Sequence, residues 1–174
     1  MKTIGSYGRG LLLFLAGLIV GTLAMRTVAA QENSGTAGAG PFVNHVGIAV
    51  KDYQQSVDFY TKVMGFRKAF GGEPGRDGKP GTVYLQINRT SFLEIAQATD
   101  AMPAGITHVG MQVQDEDGVV AALRGRGATV TDPRVSPALS KSKLANLNDP
   151  NGIRWELTEA IPGSVLKQVE DSWK

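Results

Sequence analysis

The sequence predicts an α+β protein in which two βαβββ modules form a curled mixed sheet around a metal-binding cleft. The first observation is a duplicated motif. His-Val-Gly begins at His45 and again at His108, and these are the only two histidines among 174 residues. The second observation is the spacing of two carboxylates, because Glu94 follows the first histidine by 49 residues and Glu156 follows the second by 48. Two copies of one supersecondary unit explain this matched order.

The first 30 residues have the composition of a secretory signal peptide. Lys2 and Arg9 supply a positive start, residues 11–25 form an uncharged Leu-rich run, and small residues precede Gln31. This order is typical of exported proteins. An uncleaved membrane anchor is the alternative, but a run of 15 residues is shorter than the roughly 20 that span a bilayer. We therefore expect cleavage after Ala30 and a periplasmic or secreted protein.

The mature chain that would remain has a nearly balanced charge. Cleavage removes three basic residues and no acidic one, which changes the formal net charge from +2 to −1. This charge does not suggest a nucleic-acid partner. The chain has no cysteine, which excludes a disulfide framework and thiol chemistry. Residues 31–41 are rich in Gly, Ala and Ser, and we expect them to be a flexible linker to the fold.

Residues 42–98 are predicted to form the first module. Residues 43–50 alternate so that the histidine shares one face with small residues, whereas the opposite face is apolar. Asp52 is a predicted N-cap, and the helix that follows it is expected to end at Gly65. Three further strands are predicted at residues 66–70, 82–88 and 91–97.

Residues 106–160 are predicted to repeat this order as the second module. Its helix is expected at residues 115–126, where acidic residues occupy the first turn, and residues 133–143 are expected to form a loop. The strands of this module are predicted at residues 106–113, 144–148 and 153–158, with another that begins at residues 128–131. Residues 161–174 are predicted to contain a short closing helix.

The duplicated histidines and glutamates are predicted to be metal ligands. A histidine on the first strand and a glutamate on the last strand of a small sheet are neighbours when those strands lie close together. Two modules related by a pseudo-twofold axis would then supply two nitrogens and two oxygens, from His45, Glu94, His108 and Glu156. Such a ligand set admits Ni, Co, Zn, Mn or Fe(II) and does not choose among them.

Four stretches of the sequence resemble the vicinal oxygen chelate superfamily, which includes glyoxalase I, bleomycin-resistance proteins and extradiol dioxygenases. They are residues 45–50, 52–65, 92–95 and 147–159, so the resemblance extends over nearly the whole expected mature fold. In glyoxalase I the ligands follow the order His, Glu, His, Glu, which matches the four residues above. The resemblance therefore supports the same ligand assignment.

The resemblance implies an enzyme, a glyoxalase I-like lyase or isomerase. It would act on a small substrate with adjacent oxygens through a metal-stabilised enediolate. Glu156 would be its catalytic general base. Bacterial relatives hold glutathione with an arginine and an asparagine, and the corresponding residues here are Ala49 and Ala98. These two departures argue against assigning the glutathione-linked substrate.

Two other function classes are compatible with the sequence. An extradiol-type ring-cleaving dioxygenase uses two histidines and one carboxylate, and it leaves positions open for oxygen and substrate. A non-catalytic, resistance-type protein would bind a small molecule in the cleft between the modules. Each class implies a small-molecule partner. A homodimer is also compatible with the sequence, because the superfamily includes sites within one chain and sites shared between two.

Overall fold

The computed structural model describes residues 40–75, 77–137 and 139–174. The predicted signal peptide and nearly all of the predicted linker lie outside the described residues. No helix within the described ranges is long and apolar enough to cross a bilayer. In chain order the elements are β1 (Phe42–Val50), α1 (Tyr53–Asp58), β2 (Arg67–Gly71), β3 (Val83–Asn88), β4 (Ser91–Gln97), β5 (Gly105–Val113), α2 (Glu116–Gly125), β6 (Arg134–Val135), β7 (Lys143–Asn148), β8 (Arg154–Glu159) and α3 (Val165–Asp171).

The eight strands form one open mixed sheet in the order β2-β3-β4-β1-β5-β8-β7-β6. In the first half, β1 pairs in parallel with β4, and β3 then pairs antiparallel with β4 and β2. In the second half, β5, β8, β7 and β6 repeat this arrangement. The predicted α+β fold of two βαβββ modules is therefore confirmed. Antiparallel pairing of β1 with β5 joins the two module sheets into one.

Strand alternation separates an apolar face of the sheet from the face that carries the predicted ligands. Tyr53 of α1 packs on the sheet residues Val83, Leu85 and Ile95. Val120 of α2 packs in the same way with Val113, Val130, Ala145 and Leu157. Ile95 and Leu157 each follow a predicted ligand glutamate directly, so Glu94 and Glu156 point to the opposite face. We call this opposite face the site face.

The first helix differs from the prediction at its C-terminal end. Asp52 caps it as expected, since its carboxylate accepts a hydrogen bond from the Gln55 N–H. After Asp58 the chain continues as a π-helical turn, Phe59–Val63, in which the Met64 N–H reaches the Phe59 carbonyl. Helical spacing from Tyr53 and Tyr60 predicts a buried Met64, but the wider turn rotates this residue outward, and it is 52% exposed.

The segment that follows α2 also differs from the prediction. The strand predicted at residues 128–131 is a single bridge between Val130 and Leu147, and the short strand β6 lies within the predicted loop. Pro133 separates the bridge from β6. It has no N–H to donate, so the pairing with β7 is interrupted there and resumes at Arg134.

The C-terminal helix α3 lies on the site face. Ser164 caps it through a hydrogen bond to the Lys167 N–H, which agrees with the predicted helix. Its buried apolar residue is Leu166, which packs with Tyr84 and Phe92 of the central strands.

Glu116, at the start of α2, is fully buried, and neither of its carboxyl oxygens has a hydrogen-bond partner. Burial raises its pKa from 4.5 to about 8; Lys143 opposes this shift, whereas the charges of Glu159 and Asp117 add to it. The folded chain therefore keeps this proton to a higher pH than the unfolded chain does. As a result, the free energy of unfolding should fall as the pH rises from about 4.5 to 8.

Replacing Glu116 with glutamine should remove this contribution. We expect Glu116→Gln to be less sensitive to pH than the wild type between pH 5 and 8, where one such group changes stability by up to about 1.4 kcal/mol per pH unit. Urea unfolding at several pH values measures this, and Asp100→Asn, an exposed acid that is not among the charges acting on Glu116, is the control. A wild-type pH dependence in Glu116→Gln would contradict this interpretation.

Candidate metal centre

The four predicted ligands lie on four adjacent strands at the centre of the sheet. Across it, β4 carries Glu94, β1 carries His45, β5 carries His108 and β8 carries Glu156. All four side chains meet on the site face of a single chain. His45, His108 and Glu156 are at most 7% exposed, and the Glu94 side chain is 17% exposed.

The glycine of each His-Val-Gly motif makes room for the histidine of the other motif. Gly47 is paired with His108, and Gly110 is paired with His45. A Cβ atom on Gly47 would lie 2.2 Å from Cε1 of His108, and one on Gly110 would lie 1.9 Å from Cε1 of His45. Since no side chain fits at these distances, the two imidazole rings can meet only because both positions are glycine.

A β-bulge precedes each histidine. The register of β1 and β5 shifts by one residue at Asn44 and again at Thr107. A bulge re-aims side chains, and both bulge residues contact the Nδ1 atom of the following ring. Asn44 Oδ1 lies 2.7 Å from Nδ1 of His45, and Thr107 Oγ1 lies 3.0 Å from Nδ1 of His108. Because an amide oxygen only accepts, Nδ1 of His45 donates and its Nε2 atom presents a lone pair.

The two Nε2 atoms and one carboxylate form a group with the spacing of metal ligands. The Nε2 atoms of His45 and His108 are 3.0 Å apart. Oε2 of Glu94 lies 3.7 Å from Nε2 of His45 and 3.3 Å from Nε2 of His108. These three ligand atoms all lie within 4.8 Å of one another. Ligands bound at about 2.0–2.2 Å lie roughly 3.0–3.5 Å apart around one ion, so the donor set fits a divalent metal.

Glu156 lies beside this group and is also hydrogen-bonded to Arg154, which is not one of the predicted ligands. Its Oε1 atom lies 3.6 Å from Nε2 of His45, whereas its Oε2 atom accepts a hydrogen bond of 3.1 Å from Arg154. The Arg154 guanidinium is in turn held by Asn146, whose Oδ1 atom is 2.9 Å from Nε. The structure therefore brings all four predicted residues together, with Glu156 at the side of the three-residue group.

Burial determines much of the electrostatics of the centre. Burial lowers the pKa of His45 to about 4, although the Glu94 carboxylate opposes this shift. The ring is therefore neutral at neutral pH, which metal ligation requires. Burial disfavours ionisation of Glu94, but hydrogen bonds from His108 and Tyr84 outweigh it and lower the Glu94 pKa. Burial raises the pKa of Glu156, and the charge of Glu94 adds to this effect, while His108 and Arg154 oppose it.

A cavity of about 200 Å³ adjoins Glu94, His108 and Glu156. Its walls carry hydroxyl groups and short apolar side chains, including Thr82, Ser140, Leu139 and Leu144. A larger open hollow of about 430 Å³ beside residues 72–80 contains none of the four predicted ligands. The smaller cavity is therefore the candidate substrate site.

Sequence reasoning missed four side chains that shape this centre: Asn44, Tyr84, Thr107 and Arg154. Tyr84 lies directly opposite Glu94 and donates a hydrogen bond to it. Arg154 lies two residues before Glu156, on the same face of β8. Alternation could have found these two once the strands were known, whereas the bulges that orient Asn44 and Thr107 leave no comparable signal in the sequence.

Comparison with known proteins agrees with this architecture. The sequence profile of the Glyoxalase/Bleomycin resistance protein/Dioxygenase superfamily matches residues 42–157. The chain belongs to this superfamily. The match contains both His-Val-Gly motifs and all four predicted ligands, and it ends before α3.

Known proteins from three organisms are similar to this chain at low sequence identity. The uncharacterized protein YaeR of Escherichia coli is 28% identical over 125 residues, which are 67% of this chain and 95% of that protein. A variant of Streptomyces coelicolor methylmalonyl-CoA epimerase, in complex with 2-nitronate-propionyl-CoA, is 25% identical, with a TM-score of 0.56 over 69% of this chain and 97% of the other. The methylmalonyl-CoA epimerase from Mycobacterium tuberculosis shares the fold, with a TM-score of 0.57 and 21% sequence identity. The match covers 69% of this chain and 88% of that epimerase.

The two motif glycines provide a direct test of the centre. We expect Gly47→Ala and Gly110→Ala to lower the affinity for a divalent metal roughly 5- to 150-fold, because each new methyl group overpacks against an imidazole ring, at a typical cost of about 1–3 kcal/mol. Gly125→Ala, in α2, is the control because its Cβ meets no neighbour within 4 Å. Titration with Zn²⁺ against a chelating indicator measures the affinities. Equal affinities in all three variants would show that the rings do not depend on these glycines.

Proposed function

We propose that this chain is a metal-dependent isomerase or lyase, similar in chemistry to glyoxalase I, that removes a proton from a carbon next to a carbonyl group. The observation that carries the proposal is the position of Glu156. One of its oxygens faces the ligand group, while Arg154 holds the other at 3.1 Å. This is a suitable arrangement for a base, because a carboxylate fixed by a neighbour keeps one oxygen directed at the substrate.

His45, Glu94 and His108 would hold the metal ion, with Glu156 as a fourth ligand or as the free base. When bound, a divalent ion supplies Lewis-acid polarisation of two adjacent substrate oxygens. Two imidazoles with carboxylate oxygen suit Ni, Co, Zn, Mn and Fe(II) alike, so the donor set does not select the metal. Tyr84 keeps Glu94 in place through its hydrogen bond.

The substrate would occupy the cavity next to Glu156. Its volume of about 200 Å³ suits the reacting part of a molecule, with any larger group outside. Oε1 of Glu156 would take the proton, and the electron pair left on carbon would spread onto the neighbouring carbonyl oxygen. Arg154 holds the carboxyl group so that the same oxygen can return the proton to an adjacent atom.

The likeness to the Streptomyces coelicolor epimerase supports this class of reaction. Inverting a carbon next to a thioester carbonyl begins with removal of its proton, which is the step assigned here to Glu156. Glutathione is not part of the proposal. The two positions at which bacterial relatives of glyoxalase I hold it are Ala49 and Ala98, neither of which offers a charge or a hydrogen bond from its side chain.

Proton exchange in D₂O tests the proposal. Metal-loaded protein should exchange the carbon-bound proton of methylmalonyl-CoA or of a 2-oxoaldehyde hemithioacetal, as followed by ¹H NMR. Glu156→Gln should slow this exchange about 10²- to 10⁴-fold because the base is lost. Glu159→Gln, on the same strand but near the start of α2, is the matched control. If the Glu156 and Glu159 variants exchange at the same rate, Glu156 is not the base, and no exchange by wild-type protein would contradict the reaction class.

An extradiol-type dioxygenase is a second candidate, favoured by the group of two histidines and one carboxylate. Oxygen uptake with catechols on Fe(II)-loaded protein would distinguish it from proton transfer.

We also propose export of the protein to the periplasm or beyond the cell. Support comes only from the composition of residues 1–30. The intact mass of protein purified from its source tests this directly, since export with cleavage predicts a chain that starts at Gln31.

A further inference from the structure

A second hollow, of about 310 Å³, adjoins the candidate substrate cavity. The two spaces share Thr82, Ala96 and Met102 as lining residues. From these residues the second space continues along the loop of residues 75–81, and we call it the outer hollow. A molecule bound at the ligand group therefore has a path out of the substrate cavity beside these three side chains.

Strand alternation explains why the opening lies at Ala96. Ala96 follows Glu94 by two residues on β4, and Thr82 precedes Tyr84 by two residues at the start of β3. Each of these pairs therefore points to the site face. Because Tyr84 is paired with Glu94, Thr82 lies beside Ala96. The side chains thus become smaller with distance from the ligand group, which leaves space above the sheet on this side.

The second module is closed at the equivalent position. Thr158 follows Glu156 by two residues, as Ala96 follows Glu94, and it is paired with Leu144. Thr158 is 2% exposed, and Leu144 forms part of the wall of the substrate cavity. Larger side chains therefore fill the space that Ala96 leaves open. The passage into the outer hollow is thus a feature of the first module.

Backbone hydrogen bonds give the outer hollow a defined shape. The Gly72 N–H donates to the Thr82 carbonyl at 2.8 Å, which joins the two ends of the loop between β2 and β3. Beyond β4, Thr99 and Met102 exchange backbone hydrogen bonds of 2.9 and 3.1 Å. The Met102 N–H is also 3.1 Å from Oγ1 of Thr99. The residues on both sides of Ala96 are therefore held in place.

The lining of the outer hollow suits an uncharged, extended group. Its side chains from β4 and the following turn carry no charge, and they are Ala96, Gln97, Thr99 and Met102. Within the described part of the chain, the charged residues of this lining are Asp77 and Lys79, which pair with each other at 3.6 Å. An ionised group would meet no unmatched opposite charge there, whereas an alkyl or amide chain can contact the walls.

We propose that the substrate carries an extended, uncharged arm, which leaves the substrate cavity over Ala96. The arm passes Thr82 and Met102 and lies in the outer hollow, while the adjacent oxygens of the substrate are held at the ligand group. Ala96 determines which substrates fit, because a larger side chain closes the passage. The inference rests on the proposed function and names its substrate class, a carbonyl compound with a linear arm.

Two hydroxamates of different length test the path of the arm. A hydroxamate binds a divalent ion through two adjacent oxygens, so acetohydroxamate is the probe without an arm and octanohydroxamate is the probe with one. Zinc-loaded wild type should bind octanohydroxamate at least about tenfold more tightly, since each fully buried methylene group contributes roughly fourfold. Isothermal titration calorimetry measures both affinities. Their ratio within one variant cancels any change in the zinc site itself.

Ala96→Leu should bring this ratio close to one because the passage is closed. Met102→Ala should lower it about two- to fourfold, since part of the apolar wall is lost. Met102 lies in a turn outside the sheet, so this second variant decides the question if Ala96→Leu does not fold. Ala104→Leu is the matched control, because Ala104 is exposed and lines neither space. It should keep the wild-type ratio.

The possible failures can be told apart. A wild-type ratio near one would overturn the inference and leave the proposed function intact. The same conclusion follows if Ala96→Leu keeps the wild-type ratio, or if Ala104→Leu lowers the ratio as much as Ala96→Leu does. Absence of zinc binding by wild type, or of acetohydroxamate binding by the zinc-loaded protein, would instead overturn the proposed function and this inference together.

Discussion

The antiparallel pairing of β1 with β5 is the contact on which the metal centre depends. It sets each histidine opposite the glycine of the other motif, so that the two rings come together from different modules. The two parallel pairings, of β1 with β4 and of β5 with β8, then add one glutamate on each side. A shift of this register by one residue would turn the histidines to the opposite face of the sheet.

The centre concentrates polar groups where burial is costly. Two carboxylates and two imidazoles face one another with little solvent contact, and an isolated buried charge costs several kcal/mol. The chain compensates part of this cost with its own donors, Tyr84 to Glu94 and Arg154 to Glu156. A divalent cation would neutralise what remains, since the lone pair of His45 Nε2 and the Glu94 carboxylate both face it.

The sequence was sufficient to predict the repeat, most of the strands and the four residues that meet on the site face. These features follow from periodicity and spacing, which are local properties of the chain. The β-bulges at Asn44 and Thr107, the π-helical turn after Asp58 and the bond from Arg154 to Glu156 were not predicted. The two bulges depend on how β1 and β5, which are distant in sequence, align, and neither composition nor alternation records that alignment. The bond from Arg154 to Glu156 follows from alternation only once the bounds of β8 are known.

The helix α3 illustrates the same limit. Its existence was predictable from the pattern of residues 161–174, but its packing partners, Tyr84 and Phe92, lie on β3 and β4. Only the folded arrangement shows that a C-terminal segment packs beside strands that carry the predicted ligands.

X-ray absorption spectroscopy of protein loaded with one equivalent of Zn²⁺ tests the central claim most directly. The account predicts a stably bound ion with two imidazole nitrogens at about 2.0–2.1 Å and carboxylate oxygen in its shell. It also predicts the loss of one imidazole in His108→Ala. An ion bound by fewer than two imidazoles, or a shell that His108→Ala leaves unchanged, would contradict the assignment of a metal centre to the duplicated motifs.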